Sequence, residues 1–311
     1  MRKTCVVMAA LPAMLLSACG GGSTGGGSVA TSPPPPAPAP TNSTMTNLTV
    51  SETFQTASGS TSGNINAITG IPSGFTSAQS AFGSGVTVAY NASSDSYTVQ
   101  VNQAGITASS TFGPAQFNTV DSDQYVDIYD RDIGDESQQF LLYRGESSGF
   151  TLTYVTFGYW LRGRPASGSS LDLATSFFVA GIRTAATSMP STGTASYEVG
   201  AVGLWTDSLE VDILQGTATL SANFGTGSLS GTFDMSGVPV LAGGLRPFDL
   251  VSASASISGN TFSGSMNGLS SGYTGTWSGG FFGPNAAEIG GSFRLTNSFG
   301  GQAVGAFAGA Q

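Results

Sequence analysis

The sequence predicts an all-β protein, an antiparallel β domain followed by a filled eight-stranded antiparallel β-barrel. Three observations lead there. One short phrase recurs five times between Leu229 and Phe307: a large or apolar residue, a gap, a glycine, a gap, a large residue. Its copies are Leu229-Gly231-Phe233, Phe262-Gly264-Met266, Tyr273-Gly275-Trp277, Ile289-Gly291-Phe293 and, starting small, Ala303-Gly305-Phe307. Forty-five glycines accompany many Ser and Thr, and no long stretch follows the 3.6-residue period of a helix. The chain is 40% hydrophobic and only 9% charged, a globular composition. Residues at period two share one face of a strand. A glycine between two bulky groups on that face weakens a flat sheet. It fits a strand that bends sharply while a neighbour's ring folds over the bare backbone, as in a small closed barrel.

The first eighteen residues read as a bacterial export signal. Arg2 and Lys3 form its positive start, and Cys5 to Leu16 is an apolar stretch too short to span a bilayer. It ends in Leu16-Ser17-Ala18-Cys19, a lipobox, so Cys19 is the expected lipidation site and membrane attachment is through that anchor. Residues 19–48 carry two glycine blocks and then Pro33 to Pro36, Pro38 and Pro40; this composition cannot bury a core and reads as a disordered tether. Its root-mean-square reach is roughly 30 Å. Gly20, not Asp, follows the anchor cysteine, which points to the outer membrane.

Residues 49–188 form the expected first β domain. Val86–Tyr90 and Tyr97–Val101 flank a turn at 91–95 and read as a hairpin; strands are further expected at 125–129, 139–143, 152–161 and 176–182. Seven of the eighteen acids fall in one short stretch: Asp121, Asp123, Asp127, Asp130, Asp132, Asp135 and Glu136. The spacing and glycine of an EF-hand are missing and Arg131 interrupts the run, so it reads as a solvated strand edge that repels edge-to-edge pairing, with calcium as the alternative. No metal ligand is assigned. In the aromatic segment 154–164, Tyr154, Gly158 and Trp160 are expected to pack inward, with an interface role as the alternative.

Residues 189–311 form the barrel, with strands expected at about 194–202, 215–224, 228–235, 251–257, 261–267, 272–278, 288–295 and 302–308. In the second, Ala218, Leu220, Ala222 and Phe224 point one way and Thr217, Thr219, Ser221 and Asn223 the other, so the polar set faces out. A membrane-spanning barrel needs the reverse. With rings filling an eight-stranded bore, recognition falls to loops, chiefly 203–214 with Trp205 and 236–250 with Arg246 and Phe248.

Absences narrow the function. The chain has no histidine, and no lysine after Lys3. Ser-His-Asp, Cys-His and Ser-Lys nucleophiles, histidine-held zinc and histidine-held haem are therefore excluded within it. The stretches Gly145–Gly149 and Gly268–Gly272 match a G-x-S-x-G elbow, but no base is present to activate their serines. No catalytic residue and no cofactor is assigned; a carboxylate pair for glycoside hydrolysis is the one common device left open. Loss of Arg2 and Lys3 with the leader takes the net charge from −9 to −11, which argues against nucleic acid as a partner.

The stretch Gly279-Gly280-Phe281-Phe282-Gly283-Pro284-Asn285-Ala286-Ala287-Glu288-Ile289-Gly290-Gly291-Ser292-Phe293, closing on Ala303–Phe307, resembles the end of the barrel domains of transferrin-binding protein B. Met189–Tyr197, Leu220–Phe224 and Gly227–Phe233 resemble the start of the same domain. The resemblance implies that residues 49–188 are a handle-like β domain in front of the barrel, a single lobe displayed on its tether at the bacterial surface. It further implies a protein or iron- or haem-related ligand bound through handle and barrel loops, and export to the surface by a Slam-type translocator. No ligand-contact residue carries over. The alternative is a structural lipoprotein of the outer membrane with no small ligand.

Overall fold

The computed structural model describes residues 41–144, 146–147, 150–241 and 244–311. The export signal, Cys19 and the tether up to residue 40 lie outside the described residues, as does part of the Gly145–Gly149 elbow. The first domain holds β1 (Glu52–Gln55), β2 (Ala57–Asn66), β3 (Pro72–Ser80), β4 (Val86–Asn91), β5 (Ser96–Gln103), β6 (Ile106–Phe112), β7 (Val126–Ile133), β8 (Glu136–Tyr143), the two-residue β9 (Glu146–Ser147) and β10 (Phe150–Thr151), β11 (Val155–Pro165) and β12 (Ser170–Gly181). Eight longer strands follow: β13 (Thr194–Thr206), β14 (Val211–Asn223), β15 (Ser228–Pro239), β16 (Arg246–Ser258), β17 (Thr261–Gly268), β18 (Thr274–Phe282), β19 (Glu288–Thr296) and β20 (Gln302–Ala310).

β13 to β20 form an antiparallel meander closed by pairing of β20 with β13, Phe307 opposite Ala201. All eight expected barrel strands are present. Every large residue of the five repeated phrases is buried in the bore, Phe293 and Phe307 completely. The glycines do what their spacing suggested. A Cβ on Gly305 would stand 2.6 Å from the Phe293 ring, and one on Gly291 2.8 Å from the Phe307 ring, so each ring lies on its neighbour's bare backbone. Phe233 and Phe307 meet edge to face at 5.3 Å, Phe262 and Trp277 are tilted against each other at 5.0 Å, and the Trp277 indole donates to Ser254 O at 3.0 Å. The bore is a packed core.

In the first domain β1-β4-β5-β6 form one sheet and β3-β2-β12-β11-β8-β7 another. The larger sheet is covered on both faces. Trp160, Phe178 and Ala180 point to the smaller sheet, and Val155, Phe157, Phe177 and Val179 to the barrel wall. This double burial explains the uninterrupted apolar run Phe177–Ala180. It also corrects two expectations. Tyr154 and Trp160 do not share an interior: Trp160 is in the first core, while Tyr154 packs with the second. The polar exterior of β14 does not extend around the barrel, because Val202, Leu204, Val304, Ala306 and Ala308 face outward under the sheet.

β2 was not apparent from its sequence, ASGSTSGNIN. It lies between the barrel and the smaller sheet, where only small residues fit; a Cβ on Gly59 would collide with Val304. Its hydroxyls are satisfied internally: Ser60 donates to Gln103 Oε1 at 3.1 Å and accepts from the Ser176 hydroxyl at 2.9 Å. β7 is the edge of the larger sheet. The acids of β7 and the start of β8 take separate partners, Asp127 with Arg144, Glu136 with Arg162 and Asp130 with Asn118. Among the described residues no group of three or more His, Cys, Asp or Glu is arranged to hold a metal ion. The chain is already packed seven residues before the expected start of the first domain. Buried Asn42 accepts from the amides of Thr49 and Val50 and donates to Val50 O and Glu52, closing a loop across the domain's end.

One carboxylate fastens this domain to the barrel. Glu288, at the head of β19, is 3% exposed and accepts from the amides of Thr153, Tyr154 and Val155 at 2.6, 2.8 and 2.8 Å. A polar seam continues the junction along β3. The Ser77 hydroxyl accepts from Arg294 at 2.8 Å and donates to Gln302, and Gln79 donates to Ser292 O at 2.6 Å. Burial raises the Glu288 pKa, and the three amides pull against that rise. Replacement by Ala leaves three buried donors without an acceptor, at about 1–3 kcal/mol each before relaxation. Glu288→Ala should lower unfolding stability by roughly 3–5 kcal/mol in urea titration, and Glu288→Gln by less, since its amide oxygen still accepts.

Candidate functional site

The turns after β13, β15, β17 and β19 all lie at one end of the barrel. The opposite end is occupied by the Gly283–Ala287 turn, where the Tyr197 hydroxyl donates to Ala286 O at 2.7 Å and Thr184 to Gly283 O at 2.6 Å. The three residues expected on recognition loops, Trp205, Arg246 and Phe248, are all at the first end and touch one another. They are not on loops. β13 runs through Thr206 and β16 starts at Arg246, so the connections shrink to 207–210 and 240–245. The strands persist to the rim because their inward side chains are needed to plug the mouth.

That plug is an aromatic stack with a charged cap. Trp205 and Phe248 meet edge to face at 5.0 Å, and Phe248 lies 4.7 Å from Tyr273. The Trp205 indole donates to the Tyr273 hydroxyl at 2.8 Å. Over the Trp205 ring, at 4.3 Å, sits the Arg246 guanidinium. It donates to Asp207 at 2.9 Å, Glu210 at 2.6 Å and Asp212 at 2.7 Å. One cation thus faces three carboxylates, and the cluster carries a net −2 when all are ionised.

Asp212 is fully buried, and its second oxygen has no partner among the described residues. Burial pushes its carboxyl up to about 6, against the pull of Arg246 and with the push of Glu210 and Asp207. Nearby, Asp249 holds the β17–β18 turn. It accepts from the amides of Ser270 and Ser271 at 3.1 and 2.9 Å and from both hydroxyls. Partial burial would raise its pKa, but the bonds from Ser271 and Ser270 outweigh this and hold it at about 2. The second serine elbow is therefore a structural clamp.

Around this cap the surface is apolar. Thirteen large hydrophobic side chains among the described residues are exposed, and ten surround this end. Leu209, Val240, Leu241, Leu245, Leu269 and Phe299 stand on the four turns, with Ile213 and Leu250 just below. Ile68 and Ile71 come from the β2–β3 turn, whose Gly70 lies beside Leu241. Phe299 is 87% exposed, in a turn whose polar atoms are tied back to Asn297. Gap length between strands singles out only the two longest connections, so it does not reveal these residues. The usable signal was a large apolar residue inside turn composition, as in Asn297-Ser298-Phe299-Gly300-Gly301.

Residues 189–311 match the family model described as the C-lobe and N-lobe beta barrels of Tf-binding protein B. The barrel is of the transferrin-binding protein B type. Among solved structures similar to the chain, intact Ap-TbpB (N and C lobes) aligns at TM-score 0.46 and 14% identity, covering 84% of this chain and 77% of that one. A double mutant of transferrin-binding protein B from Haemophilus parasuis Hp5 aligns at 0.45 and 16%, over 84% and 76%. The N-lobe domain of lactoferrin-binding protein B of Moraxella bovis aligns at 0.37 and 16%, over 55% and 79%. No curated protein matches the chain. The family match covers the barrel, and the first β domain lies outside it.

The Asp212 pKa gives a signed test. A carboxylate raised from 3.8 to about 6 binds its proton more tightly in the folded state, so stability falls as pH rises through that window. Asp212→Asn removes this loss. Urea titrations should find the variant about 1–3 kcal/mol more stable than wild type at pH 7.5, with the advantage shrinking toward pH 5. A variant no more stable at pH 7.5 would contradict the assignment.

Proposed function

We propose that the chain is a lipid-anchored protein of the bacterial outer membrane, displayed at the cell surface, that captures a protein partner on the loop end of its barrel. The observation that carries this reading is the gathering of ten exposed apolar side chains around an acidic centre at one end. Large exposed apolar patches mark interaction sites in soluble proteins, and aromatic and aliphatic tips on turns are suited to insertion into a partner's pockets. Asp207 and Glu210 remain partly exposed, so the matching partner offers a basic group inside an apolar ring.

The packed bore supports a macromolecular ligand over a small one held inside the barrel. The related proteins are named for binding transferrin and lactoferrin. For this chain we adopt only the class, a protein partner, with iron- or haem-carrying proteins as the first to try. Attachment through Cys19, a tether reaching residue 40 or so, and delivery by a Slam-type translocator complete the proposal. A purely structural role in the envelope leaves the apolar rim without a purpose.

Two measurements test this together. Protease added to intact cells should shave the lobe from its anchor. Immobilised wild-type protein should retain a partner from host fluids or environmental iron carriers, while Phe299→Asp with Leu269→Asp retains at least tenfold less, since losing a central anchor costs about 2 kcal/mol or more. Full protection on intact cells would refute surface display, and equal capture by the variant would refute the barrel end as the site.

A further inference from the structure

Far from the barrel's loop end, the handle-like domain holds a cleft of about 350 Å³ between its two sheets. Tyr90 and Tyr97 come from the smaller sheet, Tyr129 from the larger, and residues 45–48 roof it. This roof is the start of the described chain, tied down by the bond from the Met45 amide to Thr153 O at 2.7 Å. Leu142 gives the cleft an apolar floor. The protein partner proposed above does not use it.

Its polar groups divide sharply into committed and free. Asp127, nearly buried, is ion-paired with Arg144, and Asp95 accepts from the Tyr90 hydroxyl at 3.0 Å. The hydroxyls of Tyr97 and Tyr129 bond to no described residue, yet neither is sealed from solvent. Two phenols on stiff, packed rings therefore present O–H groups into one space; Tyr97 and Tyr129 are 6.1 Å apart and both lie against Phe140.

Charge narrows the ligand. Asp95, Asp127 and Arg144 sum to −1, which disfavours phosphates and carboxylates. Both carboxylates already have partners, so an incoming cation finds no free counter-ion. With both acids committed, no pair is free for hydrolysis. What remains is a neutral ligand with apolar faces and a hydroxyl rim, sized to a volume at the lower end of small-molecule sites, about 300 Å³ and upward. A sugar ring has that chemistry: its C–H face lies on an aromatic or aliphatic surface while its hydroxyls exchange hydrogen bonds with phenols that both donate and accept.

We infer that the tyrosine-lined cleft of the handle-like domain binds a neutral polyhydroxylated ring, a monosaccharide or the terminal sugar of a glycan. The test is saturation-transfer NMR on the purified full chain with neutral hexoses and N-acetylhexosamines, and with tetramethylammonium as the cationic comparison. Wild type should transfer saturation to at least one sugar and not to tetramethylammonium. Tyr97→Phe combined with Tyr129→Phe keeps both rings and the packing on Phe140 but deletes two hydroxyls, and should weaken that sugar about tenfold or more. Folding of the variant is checked by its unfolding midpoint. Transfer to no sugar, transfer favouring tetramethylammonium, or undiminished sugar binding by the double variant would each overturn the assignment. Capture of a protein partner at the barrel end is read separately, so either proposal can fail alone.

Discussion

The carboxylate of Glu288 determines how the two halves of this protein fit together. Burying an anion is costly, and here the cost is offset by three amides aimed at it from one short segment, Thr153 to Val155. A different register of the two domains would leave the anion and the amides each without a partner. Its net contribution to stability is modest, as its raised pKa indicates, but its contribution to specifying one arrangement is large. The apolar face of the larger sheet then closes on the outer wall of β13, β19 and β20. Each large side chain buried there contributes about 1.5–3 kcal/mol, without choosing a register by itself.

From this junction follows the asymmetry of the barrel. One end is held by the Gly283–Ala287 turn, by Thr184 and by Glu288, and part of the wall is covered by the larger sheet. The other end meets the first domain at the β2–β3 turn and leaves its four turns in solvent. A packed bore cannot hold a ligand, and the free rim is the surface left for the partner we propose. There the Arg246 cap seals the aromatic plug, and apolar turns surround an acidic centre. Rigidity matters for such a rim: Asp249 and Asn297 pin two of the turns with several bonds each, which lowers the ordering cost of binding.

Much of this was legible in the chain. The five glycine-spaced phrases pointed to the barrel and its filled interior, because ring-on-glycine packing has a spacing that survives in one dimension, and the strand-like runs between turns supplied the count of eight. Trp205, Arg246 and Phe248 were named from sequence and do converge at one rim, although as strand residues with their polar and aromatic groups already engaged. Other features left little trace. β2 is built of Ser, Gly and Thr because three layers crowd it, and such a strand has neither apolar alternation nor β-branched bulk. Its logic appears only when Ser60, Ser176 and Gln103, far apart in sequence, come together. The tyrosine cleft is similar: Tyr90, Tyr97 and Tyr129 belong to two sheets, and nothing local unites them. Ile68, Leu241 and Phe299 looked like scattered surface residues until the meander placed their turns side by side.

Amide hydrogen exchange at Thr153, Tyr154 and Val155 tests the central claim most directly. If Glu288 holds the two domains as one body, these three amides should exchange as slowly as the bore-lining strands, opening only with global unfolding. Exchange at the pace of the exposed β17–β18 turn, with β19 and β20 still protected, would show a junction that opens independently and would contradict the account.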